Sequence, residues 1–158
     1  MPVLVGAIAL IFGTATPQRL LRPVHDERHR RRVEHLVNQF AVTFPEISYD
    51  VLWASRTRNA QAFVWDGRKS VRLYGGIARH AGISIATIAW ILAHETGHHL
   101  GGYPYHPHFP WISSESRADD WATSVGLETV FGGRLALRYA RVGRREANQL
   151  IAGGRTKR

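Results

Sequence analysis

The stretch from Ser84 to Leu100, SIATIAWILAHETGHHL, constrains this chain more than any other. It reads as a helix with almost no polar face. Ile85, Ile88, Ala89, Ile91 and Leu92 lie round most of its circumference, and a helix that is apolar on most sides has to be covered on most sides. The remainder of the chain must therefore wrap around it. Ser84 is placed to open the helix and Gly101-Gly102 to close it. The polar residues His94, Glu95, His98 and His99 are confined to the last two turns. Polar side chains on such a helix are costly unless they are partnered.

The flanking segments supply that cover. With 158 residues the chain is one domain's worth and can bury a core unaided. After Pro23 a helical pattern runs to about Val42, with Val33, Leu36, Val37 and Phe40 on one face and Arg28 to Arg32 outside; Pro45 stops it. ISYDVLWA alternates as a strand does, with Ile47, Tyr49, Val51 and Trp53 on one side. A hairpin is expected with arms Gln61–Trp65 and Lys69–Tyr74 about an Asp66-Gly67 turn. Pro104, Pro107 and Pro110 keep residues 103–112 out of a helix. A further helix opens at Ser113 or Ser114 and runs to about Val130, and Gly132-Gly133 separate it from a basic last helix, Arg134 to Ile151.

The absence of cysteine excludes disulfides and cysteine-type zinc sites, and leaves the compartment open. The formal charge is +9. Residues 131–158 carry eight positive side chains against one acid, Glu146. Such a balance suits nucleic acid, anionic lipid or an acidic protein. No aromatic interleaving or nucleic-acid motif accompanies it, so a solvated arginine-rich surface is the simpler reading. The apolar run Val3–Phe12 is too short to span a bilayer as a helix. It lacks the basic start of a signal peptide, although Gly13 and Ala15 offer a small-residue cleavage site. Residues 1–23 are therefore expected to be a signal or surface anchor, or else a strand docked on the domain of residues 24–152, with 153–158 a basic tail. A cytoplasmic location is expected on balance, with secretion or membrane association left open by residues 3–15.

His94 and His98 are four residues apart, so both imidazoles lie on one helix face and can reach one ion. Glu95 sits about 100° round the axis, near enough to hold a water but badly placed as a ligand. Two ligands and a general base from one turn make the zinc-protease arrangement. A third ligand is needed. A histidine six residues beyond His98 is not there, because that position is Pro104, and the only methionine is Met1, so no Met-turn exists. The loop histidines His106 and His108 are within reach. So is the segment ESRADDWA, in which Glu115 and Asp119 share a helix face; Glu115 stands in the first turn, and Asp119 can accept the free N–H of a ligand histidine. Asp120 points elsewhere, and Ala118 and Ala122 leave a smooth seam for close approach.

HETGHH followed by ESRADDWA resembles the gluzincin metallopeptidases, and most closely their minimal soluble members, the minigluzincins; the resemblance covers about residues 59–125. It implies that His94, His98 and Glu115 bind zinc, that Glu95 is the general base and that Asp119 supports a ligand histidine. NAQAFV, Asn59 to Val64, is similar to the segment entering the strand above the family's cleft. Asn59, Ala60, Gln61, Ala62, Phe63 and Val64 are then expected to form an open edge strand along which an extended substrate lies. The fold implied is α+β: a small zincin-like domain with a short, twisted, mainly antiparallel sheet packed on the active-site helix and two or three further helices. The reaction expected is hydrolysis of peptide or protein substrates by a zinc-activated water. Tyr103, His106 and His108 are candidates for stabilising the oxyanion. The alternative is a latent or non-catalytic zinc domain that binds or regulates through its basic surface.

Overall fold

The computed structural model describes residues 4–155, with side-chain surroundings over residues 15–152. The chain is an α+β domain. Strands β1 (Leu4–Ala15), β2 (Ile47–Leu52), β3 (Thr57–Trp65) and β4 (Arg68–Tyr74) form one mixed sheet in the order β1-β3-β4-β2. The β1–β3 and β3–β4 pairs are antiparallel and β2–β4 is parallel. The expected hairpin forms: Asp66 (φ 48°) and Gly67 (φ 75°) occupy the two positive-φ positions that such a two-residue turn needs.

Helix α1 (Glu27–Thr43) starts at Asp26, whose carboxylate accepts from the His29 amide at 3.0 Å. Its inner face, Val33, Leu36, Val37 and Phe40, is buried. After a single turn, α2 (Gly75–Ala78), the chain enters α3 (Ile85–Leu100), in which every residue from Ala86 to His99 is buried. The sheet, α1, α4 (Glu115–Trp121) and α6 (Gly133–Arg155) together enclose it. Burying a side chain such as Ile88, Ile91 or Leu92 contributes about 1.5–3 kcal/mol. Phe40, the centre of an aromatic group with Phe44, Tyr49 and Phe131, seals the layer between α1 and the sheet.

Three details go beyond the expectations or against them. The helix beginning at Ser114 is not continuous: a π-helical turn, Ala122–Gly126, joins α4 to α5 (Leu127–Phe131). Residues 103–113 form a small hairpin of β5 (Tyr105–His106) and β6 (Phe109–Ser113). The largest correction concerns β3. It is not the open edge of the sheet. Strand β1 pairs along it from Leu4↔Trp65 to Ile11↔Asn59, so Asn59 to Val64 lie inside a four-stranded sheet. The reason is that an apolar segment can satisfy its own backbone and that of β3 together by pairing with it. Among the described residues no helix is long and apolar enough to cross a membrane. Residues 1–3 and 156–158, the ends of the expected N-terminal segment and basic tail, lie outside the described residues.

Candidate metal centre

The last two turns of α3 and the first turn of α4 meet at one point. Their approach is set by Gly97: a Cβ there would stand 2.8 Å from the Ala118 carbonyl oxygen and 3.1 Å from the Ala118 Cα. With glycine on one helix and the fully buried Ala118 on the other, the axes come close enough for side chains from both to converge.

Those side chains are His94, His98 and Glu115. The His94 Nε2 lies 3.2 Å from Glu115 Oε2, and the His98 Nε2 3.6 Å from Glu115 Oε1. One ligand atom from each of the three falls within 4.8 Å of the other two, and this is the group of metal-binding type found among the described residues. Ligands about 2.0–2.2 Å from a tetrahedral zinc are themselves about 3.3–3.5 Å apart. The two imidazole rings stand perpendicular with centroids 4.7 Å apart. Both Nε2 atoms are buried and have no hydrogen-bond partner. Their contacts with Glu115 are close in distance without hydrogen-bond geometry. Two buried ring nitrogens and a carboxylate converging on one point suit a cation.

The other ring nitrogens are held. His94 Nδ1 lies 2.7 Å from Asp119 Oδ1, and His98 Nδ1 lies 2.8 Å from the Ser113 carbonyl oxygen. A carbonyl can only accept, so His98 Nδ1 carries the proton and Nε2 is left as the free lone pair. Burial opposes charge on His94, but its bond to Asp119 and the nearby carboxylates of Glu115 and Glu95 outweigh it and push its pKa up to about 9. Burial and the adjacent His94 push His98 down to about 4. Burial works against the Glu115 carboxylate too, yet His94 and His98 hold it below its usual range. The carboxylates therefore favour one positive charge, at His94, while burial and that charge oppose a second at His98. His94 and His98 are almost wholly enclosed, while the Glu115 side chain is 51% exposed, so the site opens to solvent on the Glu115 side.

Glu95 is fully buried next to this group. Of the three residues considered for an oxyanion, Tyr103 is 81% exposed and packs edge-on against Tyr105. His106 is half-buried; His108 is exposed, and its amide donates to His106 Nδ1 at 3.2 Å. Neither loop histidine joins the ligand group. Asp120 is exposed, away from the centre.

Four contributors were not singled out from the sequence. The Ser113 carbonyl and Gly97 act through backbone, which residue identity signals weakly. Arg144 on α6 places Nη2 3.6 Å from Asp119 Oδ2, a contact across 25 residues that no local pattern announces. His99, the unassigned third histidine of HETGHH, puts Nε2 2.9 Å from the Ser70 carbonyl oxygen and so ties α3 to β4. Comparison with known protein families, with curated proteins and with solved structures finds no match to this chain.

Proposed function

We propose that this chain is a zinc-dependent metallopeptidase. The observation that carries the reading is the convergence of two orphaned buried imidazole nitrogens and the Glu115 carboxylate beside the fully buried Glu95. His94 and His98 would hold the ion through Nε2, and Glu115 through its carboxylate. Zinc, when bound, supplies Lewis acidity, lowering the pKa of a water toward ~7 and polarising a peptide carbonyl.

The remaining work falls to the protein. Asp119 and the Ser113 carbonyl accept the Nδ1 protons of the two histidines, which fixes their tautomers and keeps both Nε2 atoms aimed inward. Glu95 takes the proton of the attacking water and passes it to the nitrogen of the leaving amine. The exposed side of Glu115 is where a peptide gains access. A carboxylate base beside histidine ligands in a buried setting suits hydrolysis better than a purely structural site, where four protein ligands would close the ion off.

The test combines metal analysis with cleavage of a fluorescent casein. Wild type is expected to hold about one zinc per chain and to lose activity to a chelator. Glu115→Ala is expected to lose most of the metal. Glu95→Gln is expected to keep it and lose activity by several orders of magnitude. Undiminished cleavage by Glu95→Gln would overturn the mechanism. Full metal retention by Glu115→Ala would overturn the ligand set.

A further inference from the structure

The outer edge of β3 is where an extended substrate would be expected to lie, and a strand of the same chain already lies there. From Gly6 to Ile11 each residue of β1 has a partner on β3, ending at Leu10↔Ala60 and Ile11↔Asn59. The ladder then loses register until Ala15↔Thr57. The next residue pins the chain: Thr16 is buried, its amide donates to the Arg56 carbonyl at 2.9 Å and its hydroxyl to the Gly76 carbonyl at 2.7 Å. Strand β1 also touches α6, the helix whose Arg144 reaches Asp119 at the metal centre. It therefore borders both β3 and a helix that flanks the site.

Two features mark this strand as a replaceable occupant. Pairing along β3 uses main-chain bonds, which any extended peptide can supply. And Asn59 Oδ1, on β3, is a buried acceptor with no hydrogen-bond partner among the described residues, which a donor on an incoming peptide could meet. We propose that residues 4–15 are an intramolecular occupant of the substrate edge, a strand that has to leave β3 before a peptide can bind. This rests on the reading of the site as a peptidase with its substrate along β3. Tethered at Thr16, the strand competes at an effective concentration on the order of millimolar, well above that of a dilute substrate. Access to the metal centre is then governed by whatever displaces β1.

The test uses three zinc-loaded proteins: the full chain, a chain starting at Thr16, and the full chain with Ala9→Cys and Gln61→Cys. The last two positions are direct partners across the ladder, and the chain has no other cysteine to interfere. Hydrolysis of fluorescent casein is expected to rise at least tenfold on removal of residues 1–15. It is expected to fall at least tenfold when the cysteine pair is oxidised and to recover with a phosphine reductant, zinc content being constant throughout. Because the paired variant keeps the whole chain, it decides the matter if the shortened protein does not fold. Equal hydrolysis in the oxidised and reduced forms would overturn the occupant while leaving the peptidase reading standing. Zinc bound in every protein with hydrolysis by none would bring down the peptidase reading, and the inference with it.

Discussion

His94 illustrates how much of the candidate site is decided at the scale of single atoms. Its ring is aimed by the carboxylate of Asp119 at 2.7 Å. Hydrogen-bonded partners of metal-binding histidines typically contribute 10–100-fold in affinity. Asp119→Ala is therefore expected to weaken zinc binding by about that factor, measured by competition with a chromophoric chelator. Arg144 makes the contrast. It reaches the other oxygen of Asp119 at 3.6 Å, but its side chain is 48% exposed. Exposed pairs contribute about 0–1 kcal/mol, so Arg144→Ala is expected to shift zinc affinity by less than about fivefold. A large effect at Arg144 with none at Asp119 would invert this assignment.

At the scale of elements, two contacts hold the site's scaffold. The first is the crossing of α3 and α4 at Gly97. A methyl group there must displace the Ala118 backbone. Gly97→Ala is expected to destabilise the fold by about 1–3 kcal/mol, the usual cost of overpacking, and to weaken zinc binding by moving Glu115 away from the histidines. Urea unfolding and the same chelator competition read the two effects. The second is the start of α3. Ser84 opens this helix as expected, at the N-cap position, but its side chain makes no capping bond to the helix amides. Instead Glu146 on α6 reaches across. Its carboxylate accepts from the Ser84 amide at 2.9 Å, from the Ser84 hydroxyl at 2.8 Å and from the Thr87 hydroxyl. Burial disfavours its charge, but the Thr87 and Ser84 bonds outweigh that and hold its pKa below the usual range. The one acid in the basic C-terminal region thus ties α6 to the start of the central helix. Glu146→Ala is expected to cost about 1–2 kcal/mol in urea unfolding, the magnitude of a lost N-cap. An unchanged midpoint would show that α6 is held by apolar packing alone.

For the whole molecule, buried histidines set the response to acid. His29 lies 2.7 Å from the Ala78 carbonyl oxygen through Nε2, His99 bonds to Ser70, and His80 is buried near the isolated pairing of Leu21 with His80. Burial lowers the pKa of all three. The unfolded chain, with histidine near its usual ~6.5, then binds more protons than the folded chain just below that pH. The stability these three histidines contribute is therefore full above about pH 6.5 and falls as the pH drops through it. Metal-free protein is expected to show a lower urea midpoint at pH 5 than at pH 7.5. His29→Gln, which keeps a donor for Ala78 but cannot titrate, is expected to flatten the slope. An equal slope in that variant would assign the acid sensitivity elsewhere.

The central helix, the Asp66-Gly67 hairpin turn and the i, i+4 pairing of His94 with His98 were determined by the sequence itself. Each depends on the periodicity or the backbone preference of a few adjacent residues, which a single chain displays directly. The pairing of Glu115 with Asp119 was legible in the same way. What only the tertiary structure decided lies between elements far apart in sequence. Nothing local told that Gly97 sets the helix crossing, that the Ser113 carbonyl orients His98, or that Glu146 binds the start of α3. Nor did it tell that β1 covers the edge of β3. An apolar strand carries its pleat in its sequence, but the strand it pairs with is chosen by the whole chain, because backbone hydrogen bonds are the same whichever residues supply them.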